Sequence, residues 1–453
     1  MCGDLSHWSI GISGVIFQRR DRKGRGVYAE KHMLNKFKNQ KNYCHAETLE
    51  ADSFKEKQVG TPISPFKNLR VTMILTIIIF STIFSRCNKQ KDISQNNTQQ
   101  IPQTNWPIFR GDNNFSGNAK GSLPDSLQLL WKFQTEDEIS ASPVVMDGKV
   151  YFASLDGKLY CADAESGKEI WKYEITTSFE ASPMVLNNTV YIGNVNRKLY
   201  AIDADSGFVK WEFETGGKIM GSPNWSVNPE TKDTLVFQGC YDSKMYCFNA
   251  KTGEKIWTYD TKNFINGAPA IYKDYLIFGG CDAFVHQVST ITGKRKVKVN
   301  LESYLAASPS VYENFVYVGN YDSELIAVNL EDTVIVWKYY DEEEGAPFFS
   351  SPAVTKKYVV IGSRDYRLHC VDRLTGERVW VFRTNDDVES SPVIIDGKVI
   401  FCSADGRVYV LKLDDGSMIW QYEIGSVIIS SPAVASGRIY IGAEDGNLYC
   451  FGK

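Results

Sequence analysis

The residues best suited to chemistry in this chain recur at fixed spacing. ADAESGKEIW, residues 162–171, places a carboxylate (Asp163), an ammonium (Lys168) and an indole (Trp171) around Gly167. Such a set could hold a polar cofactor, or it could be a turn tied by its own side chains. Acidic residues recur at Asp156, Asp242, Asp282, Asp322, Asp365, Asp405 and Asp445, a pattern that could suggest a ring of calcium ligands. His286 and His369 are candidate bases or ligands in the same stretch. Cys161, Cys247, Cys370 and Cys450 share one register, and Cys240 with Cys281 is the one pair worth testing for a bridge.

The repeat decides how these are weighed. A Ser/Ala-Pro pair recurs with Pro at 143, 183, 223, 269, 309, 352, 392 and 432, and Trp recurs at 131, 171, 211, 257, 337, 380 and 420. One cofactor needs one site, whereas a joint between like units is needed at every boundary. Asp before Gly or Ser is ordinary turn chemistry. Both histidines fall in a slot otherwise held by Tyr160, Tyr200, Tyr246, Tyr409 and Tyr449, which reads as packing. The cysteine slot is shared with Ala201, Ala327, Val410 and Gln287, which reads as small buried hydrophobes in separate cores.

Each unit holds four short runs with β-branched and aromatic content, in the first SPVVM, KVYFAS, KLYCAD and EIWKYE, separated by Asp-Gly or Ser-Gly. Four strands per unit of about 40 residues predict an all-β, eight-bladed β-propeller over 106–453. The last unit ends at NLYCFGK, one strand short, and an orphan strand, LLWKF at 129–133, precedes the first. The orphan should complete the eighth blade and close the ring.

ADAESGKEIW, IDADSGFVKW, FNAKTGEKIW and VDRLTGERVW resemble the docking motif of pyrroloquinoline-quinone (PQQ)-type propellers, and WPIFRGDNNFSG (106–117) resembles the segment that opens such domains. With a lipoprotein-like signal and eight blades, the nearest family is that of the outer-membrane assembly lipoprotein BamB. The resemblance implies a non-enzymatic scaffold that binds a β-barrel assembly component, with Trp131, Trp171, Trp211, Trp257, Trp337, Trp380 and Trp420 as blade-docking residues. The copies STITGKRKV and NLEDTVIVW, which lack the Trp and the Gly, should mark the weaker boundaries. The rival from the same superfamily is a PQQ- and calcium-dependent dehydrogenase. Alcohol-oxidising members typically carry adjacent cysteines and long inserted loops; here no cysteines are adjacent and one sizeable insertion, NPETKD in the third unit, is present. No catalytic, cofactor or metal residue is therefore assigned. A ligand-binding or sensory propeller is the third possibility.

The connections that follow the Trp strands should share one face. Their eight windows hold 16 Asp/Glu and 3 Lys/Arg. A basic partner surface is the expected match, with Glu136, Asp137, Glu138, Asp341, Glu342, Glu343, Glu344, Asp386 and Asp387 as contacts. Phe179, Phe348 and Phe349 are candidate apolar anchors, or else plugs of the central channel. A solvated acidic rim is the bland alternative.

The remaining chain concerns address. Residues 1–70 carry a net +6 and the rest −10, so the acidic body argues against nucleic acid as a partner. VTMILTIIIFSTIFS (71–85) suits the apolar core of a secretory signal, with Lys67 and Arg70 as its positive flank. The expected organisation is a leader over 1–65, either an over-extended start or a cytoplasmic tail, a lipoprotein-like signal over 66–87 with Cys87 lipidated, a flexible linker over 88–105, then a monomeric propeller. The expected location is the periplasmic side of the outer membrane, with an uncleaved inner-membrane signal anchor as the alternative.

Overall fold

The computed structural model describes residues 104–341 and 345–453. The leader, the signal-like segment with Cys87, the linker up to residue 103, and Glu342, Glu343 and Glu344 lie outside the described residues. Among the described residues, no helix is long and apolar enough to cross a membrane.

Eight antiparallel sheets of four strands each form the blades. The first comprises Val144–Met146, Lys149–Ala153, Lys158–Asp163 and Glu169–Glu174, from the innermost strand outward. Asp147 and Gly148, both at positive φ, make the first hairpin of this blade, a conformation that suits the twist of paired strands. The second and third strands are buried along most of their length, whereas in the outer strand Trp171 and Tyr173 are covered on one face and Ile170, Lys172 and Glu174 are exposed on the other. Gln128–Gln134 pairs with Asn447–Gly452, so the strand that precedes the first blade supplies the outer strand of the eighth blade. The ring closes as expected.

The Trp motif is the joint between blades. A Cβ on Gly207 would come 2.8 Å from the indole of Trp171, and Gly167, Gly253, Gly293, Gly376 and Gly416 lie as close to Trp131, Trp211, Trp257, Trp337 and Trp380. Glycine is needed there twice over, for positive φ and for the approach of the ring. Trp171 Nε1 donates to Ala204 O at 3.0 Å, and four later tryptophans repeat this bond on the next blade. Asp163 accepts from the Ser166 amide at 2.7 Å and so holds the turn. Two details differ from expectation. STITGKRKV and NLEDTVIVW meet at one boundary, between the fourth and fifth blades, so the two losses make one altered joint. Trp420 faces the eighth blade, whose third and outer strands, Asn447–Gly452 and Gln128–Gln134, are not joined by a turn, and packs on Phe451 with ring centroids 5.7 Å apart.

Residues 104–119 plug one mouth of the channel. Trp106 exchanges backbone hydrogen bonds with Val145, and Val185, Ile271, Val311, Val354 and Ile394 donate to Pro107, Asn113, Asn114, Ser116 and Gly117. Asn113 Nδ2 reaches Trp225 O at 2.6 Å and Thr104 takes the Ser436 amide at 2.7 Å, so all eight blades are bonded to this segment. The inner strand edges would otherwise face the channel unpaired. Thr104 and Asn105, the latter bonded to Asp147, thus belong to the propeller and not to the linker. Arg110 is buried in the plug, where desolvation pushes its guanidinium down to about 9.

Candidate functional site

The connections after the outer strands and the turns between second and third strands share one face. In every blade the turn amide bonds a connection carbonyl: Leu155 to Glu138, Val195 to Ser178, Tyr241 to Lys218, Cys281 to Phe264, Tyr321 to Tyr304, Arg364 to Pro347, Ala404 to Asp387 and Glu444 to Val427. Each connection also buries one apolar side chain, four residues before its Pro: Ile139, Phe179, Ile219, Ile265, Leu305, Phe348, Val388 and Ile428. Phe179 and Phe348 are therefore copies of a core position, at 0% and 2% exposure, and are neither surface anchors nor channel plugs. Phe348 sits where a Cβ on Gly319 would meet it at 2.4 Å. The spacing to Pro is the signal that identifies this position.

At the centre of the face the serines before the prolines link blade to blade. Ser142 N donates to Ser182 Oγ, Ala268 to Ser308, Ser308 to Ser351, Ser351 to Ser391, Ser391 to Ser431 and Ser431 back to Ser142, at 2.8–3.1 Å. They line a funnel of about 190 Å³ that Phe109 of the plug also borders, with Glu180, Glu389, Met220 and Ile429 among its walls.

The predicted acidic residues divide. Glu136 and Asp137 are exposed, Glu138, Asp386 and Asp387 half-buried. Glu136 is held below the usual carboxylate range by its bond to Lys158 at 2.7 Å. Burial, and then Glu389, push Asp387 up to about 7. Asp341 departs from the expectation: it is 6% exposed and paired with Arg367 at 3.1 Å, with Arg378 at 3.6 Å. Two cations of the next blade pull it inward, so it is a boundary ion pair and not a rim contact.

Aromatic side chains that the sequence pattern does not single out flank these acids. Tyr241 stacks on Phe264 with centroids 5.1 Å apart, and Tyr304, Tyr321 and Phe349 form a second group, Tyr321 meeting Phe349 at 4.9 Å. Arg364 lies 3.4 Å over the Phe349 ring and bonds Glu389 at 2.7 Å. All are half-buried, so Phe349 alone of the three predicted anchors is on the face. The one local signal is the Tyr-Asp-Ser turn at 241–243 and again at 321–323.

The residues that first suggested chemistry are structural. Tyr160, Tyr246, Tyr409 and Tyr449 donate to Asp156, Asp242, Asp405 and Asp445, four residues earlier, at 2.5–2.7 Å. His286 and His369 replace that tyrosine and bond Asp282 and Asp365 through Nε2, at 2.8 and 2.9 Å. Their Nδ1 atoms meet Tyr259 and Tyr339 of the preceding blade, each at 2.9 Å. Asp341, Asp365 and His369 bring ligand atoms within 4.8 Å of one another. Arg367, 3.1 Å from Asp341 and 4.0 Å from Asp365, already supplies the cation there. Cys240 and Cys281 are both buried and form no disulfide, and the same holds for the other described cysteines.

The model of one family, outer membrane protein assembly factor BamB, matches residues 124–241 and 241–453. This chain belongs to the BamB family. No curated protein matches it by sequence. Among solved structures, BamB from Moraxella catarrhalis is 17% identical with a TM-score of 0.60, over 72% of this chain and all of that one. Europium-containing methanol dehydrogenase is 12% identical with a TM-score of 0.65, over 77% of this chain and 98% of that one. Quinohemoprotein alcohol dehydrogenase from Comamonas testosteroni is 13% identical with a TM-score of 0.64, over 78% and 81%. At these identities the structural likeness establishes the eight-bladed fold that BamB and the dehydrogenases share.

Proposed function

We propose that this BamB-family propeller is a non-enzymatic interaction scaffold of the bacterial cell envelope, acting in outer-membrane protein assembly. The observation that carries the reading is the composition of the loop face: half-buried Tyr241, Phe264, Tyr304, Tyr321 and Phe349, with Arg364, beside exposed acids. Aromatic residues and Arg are enriched where proteins bind one another, and the acidic margin favours encounter with a basic surface. A β-barrel assembly component is the proposed partner. The signal-like 66–87 segment, with Cys87 lipidated, would deliver and tether the propeller on the periplasmic side of the outer membrane.

A quinone cofactor fits the funnel poorly. Pyrroloquinoline quinone is a tricarboxylate, yet the charged residues lining the funnel are Glu180 and Glu389, and most of its serine hydroxyls are engaged between blades. The proposed role accordingly involves neither quinone nor calcium. The test is in-cell crosslinking from a photoreactive residue at position 349, read by mass spectrometry. Adducts with a barrel-assembly component support the scaffold; adducts with other material alone, or thermal stabilisation by quinone with calcium, overturn it.

A further inference from the structure

The third blade carries the insertion at 228–233, and the proposed partner face makes no use of it. Here a six-residue loop replaces the two-residue turn found at Asp147–Gly148. The loop is tied to itself: Asn228 N donates to Asp233 O at 2.8 Å, Lys232 N returns to Asn228 O at 2.9 Å, and Asn228 Oδ1 takes the Glu230 amide at 2.9 Å. Turns between first and second strands and between third and fourth lie at the end opposite the acidic loops, because the strands are antiparallel. At that end the inserted loop walls off a cavity of about 540 Å³ between the second and third blades, far larger than the funnel.

The chemistry of this cavity is cationic. Lys210, Lys232 and Lys251 line it with the hydroxyls of Thr189 and Thr252, and Asp233 is its one lining carboxylate. Lys210 is engaged, bonding Asn188 O at 2.7 Å and pairing with Asp203 at 3.1 Å. Lys232 bends back to Pro229 O at 2.6 Å, a neutral acceptor, and Lys251 Nζ has no acceptor among the described residues. Two ammonium groups on separate loops, facing a roomy space beside the Thr252 hydroxyl, match an oxyanion with several oxygens better than a single planar carboxylate. We propose that this cavity binds a phosphate-bearing ligand, with Lys232 and Lys251 taking the phosphate and the remaining volume taking the group that carries it. The phosphate could belong to a soluble phosphate ester or to a lipid headgroup.

The test is residue-resolved lysine acetylation of the full chain in detergent, followed by mass spectrometry. Separate arms contain inorganic phosphate, glycerol 3-phosphate, phosphatidylglycerol vesicles, phosphatidylcholine vesicles, or sodium chloride at matched ionic strength. The expected result is slower acetylation of Lys232 and Lys251, with Lys172 on the first blade unchanged. Protection by the soluble phosphates assigns a phosphate ester; protection by phosphatidylglycerol vesicles alone assigns a lipid headgroup. Lys251→Gln, on an exposed turn, should weaken protection of Lys232 about tenfold, the equivalent of one charge-assisted contact. No protection in any arm, equal protection by chloride, or an unchanged response in Lys251→Gln would overturn the proposal.

Discussion

Val297 and Thr333 stand on opposite sides of one blade boundary, in the places that Trp and Gly hold at the preceding joints. Val297 pairs with Gln287 as Trp171 pairs with Cys161, and Thr333 N donates to Asn329 O as Gly167 N donates to Asp163 O. Thr333 keeps the positive φ of the glycine it replaces, at 59°. A side chain is tolerated there because the facing residue is no longer an indole. Val297→Trp alone should therefore destabilise the fold, and adding Thr333→Gly should recover it, with a coupling of about 1 kcal/mol or more. Urea unfolding of the two single variants and the double variant measures this; additive effects would contradict the pairing.

The two neighbouring phenylalanines should behave oppositely. Phe348→Ala empties a buried boundary position and should cost about 3–5 kcal/mol in denaturant unfolding. Phe349→Ala should leave the fold largely intact and weaken capture of the partner in a pull-down.

Charge changes on the same face should also separate. Asp341→Asn removes one of the carboxylates that Arg367 pairs with across the blade boundary, and should cost about 1–3 kcal/mol in stability. Reversing Glu136 and Asp137 to Lys should leave the unfolding midpoint near that of the parent while slowing association with a basic partner in stopped-flow binding.

Asp387 predicts a pH signature. Its carboxyl titrates near 7 in the folded protein, above its unfolded value of 3.8, so the folded state binds the extra proton between these limits. The stability it contributes is present below the unfolded value and is lost as pH rises through about 7. Asp387→Asn should match the parent more closely at pH 4 and exceed it at pH 8, by urea unfolding at each pH.

Arg110 offers a test of the plug. Its guanidinium is buried, with Nη2 bonded to Pro352 O at 2.9 Å and two nitrogens without partners. Arg110→Met removes a desolvated charge and should leave the melting temperature equal or higher. A large loss would mean that the charge itself holds the plug.

The repeat makes the blade count, the ring closure and the Trp joints legible, because each uses a side chain or spacing that recurs eight times or nearly so. Phe179 and Phe348 mislead because an aromatic in an acidic loop looks exposed; alignment on the following Pro puts them beside Ile139 and Ile219. Asp341 is buried by Arg367 and Arg378, which lie on the next blade, and that pairing has no local signature. The plug is hidden for a different reason. Its bonds to the blades run mostly through backbone groups, which every residue carries.

That plug also sets a schedule. Thr104 meets Ser436 across 332 positions, and Gln128–Gln134 pairs with Asn447–Gly452. Residues at the front of the propeller cannot take their native places until residues 436–452 have been made. Individual blades can form as they are synthesised, but the ring is completed in a late, high-contact-order step. Until then the first strand is an unpaired edge that must be kept from other partners.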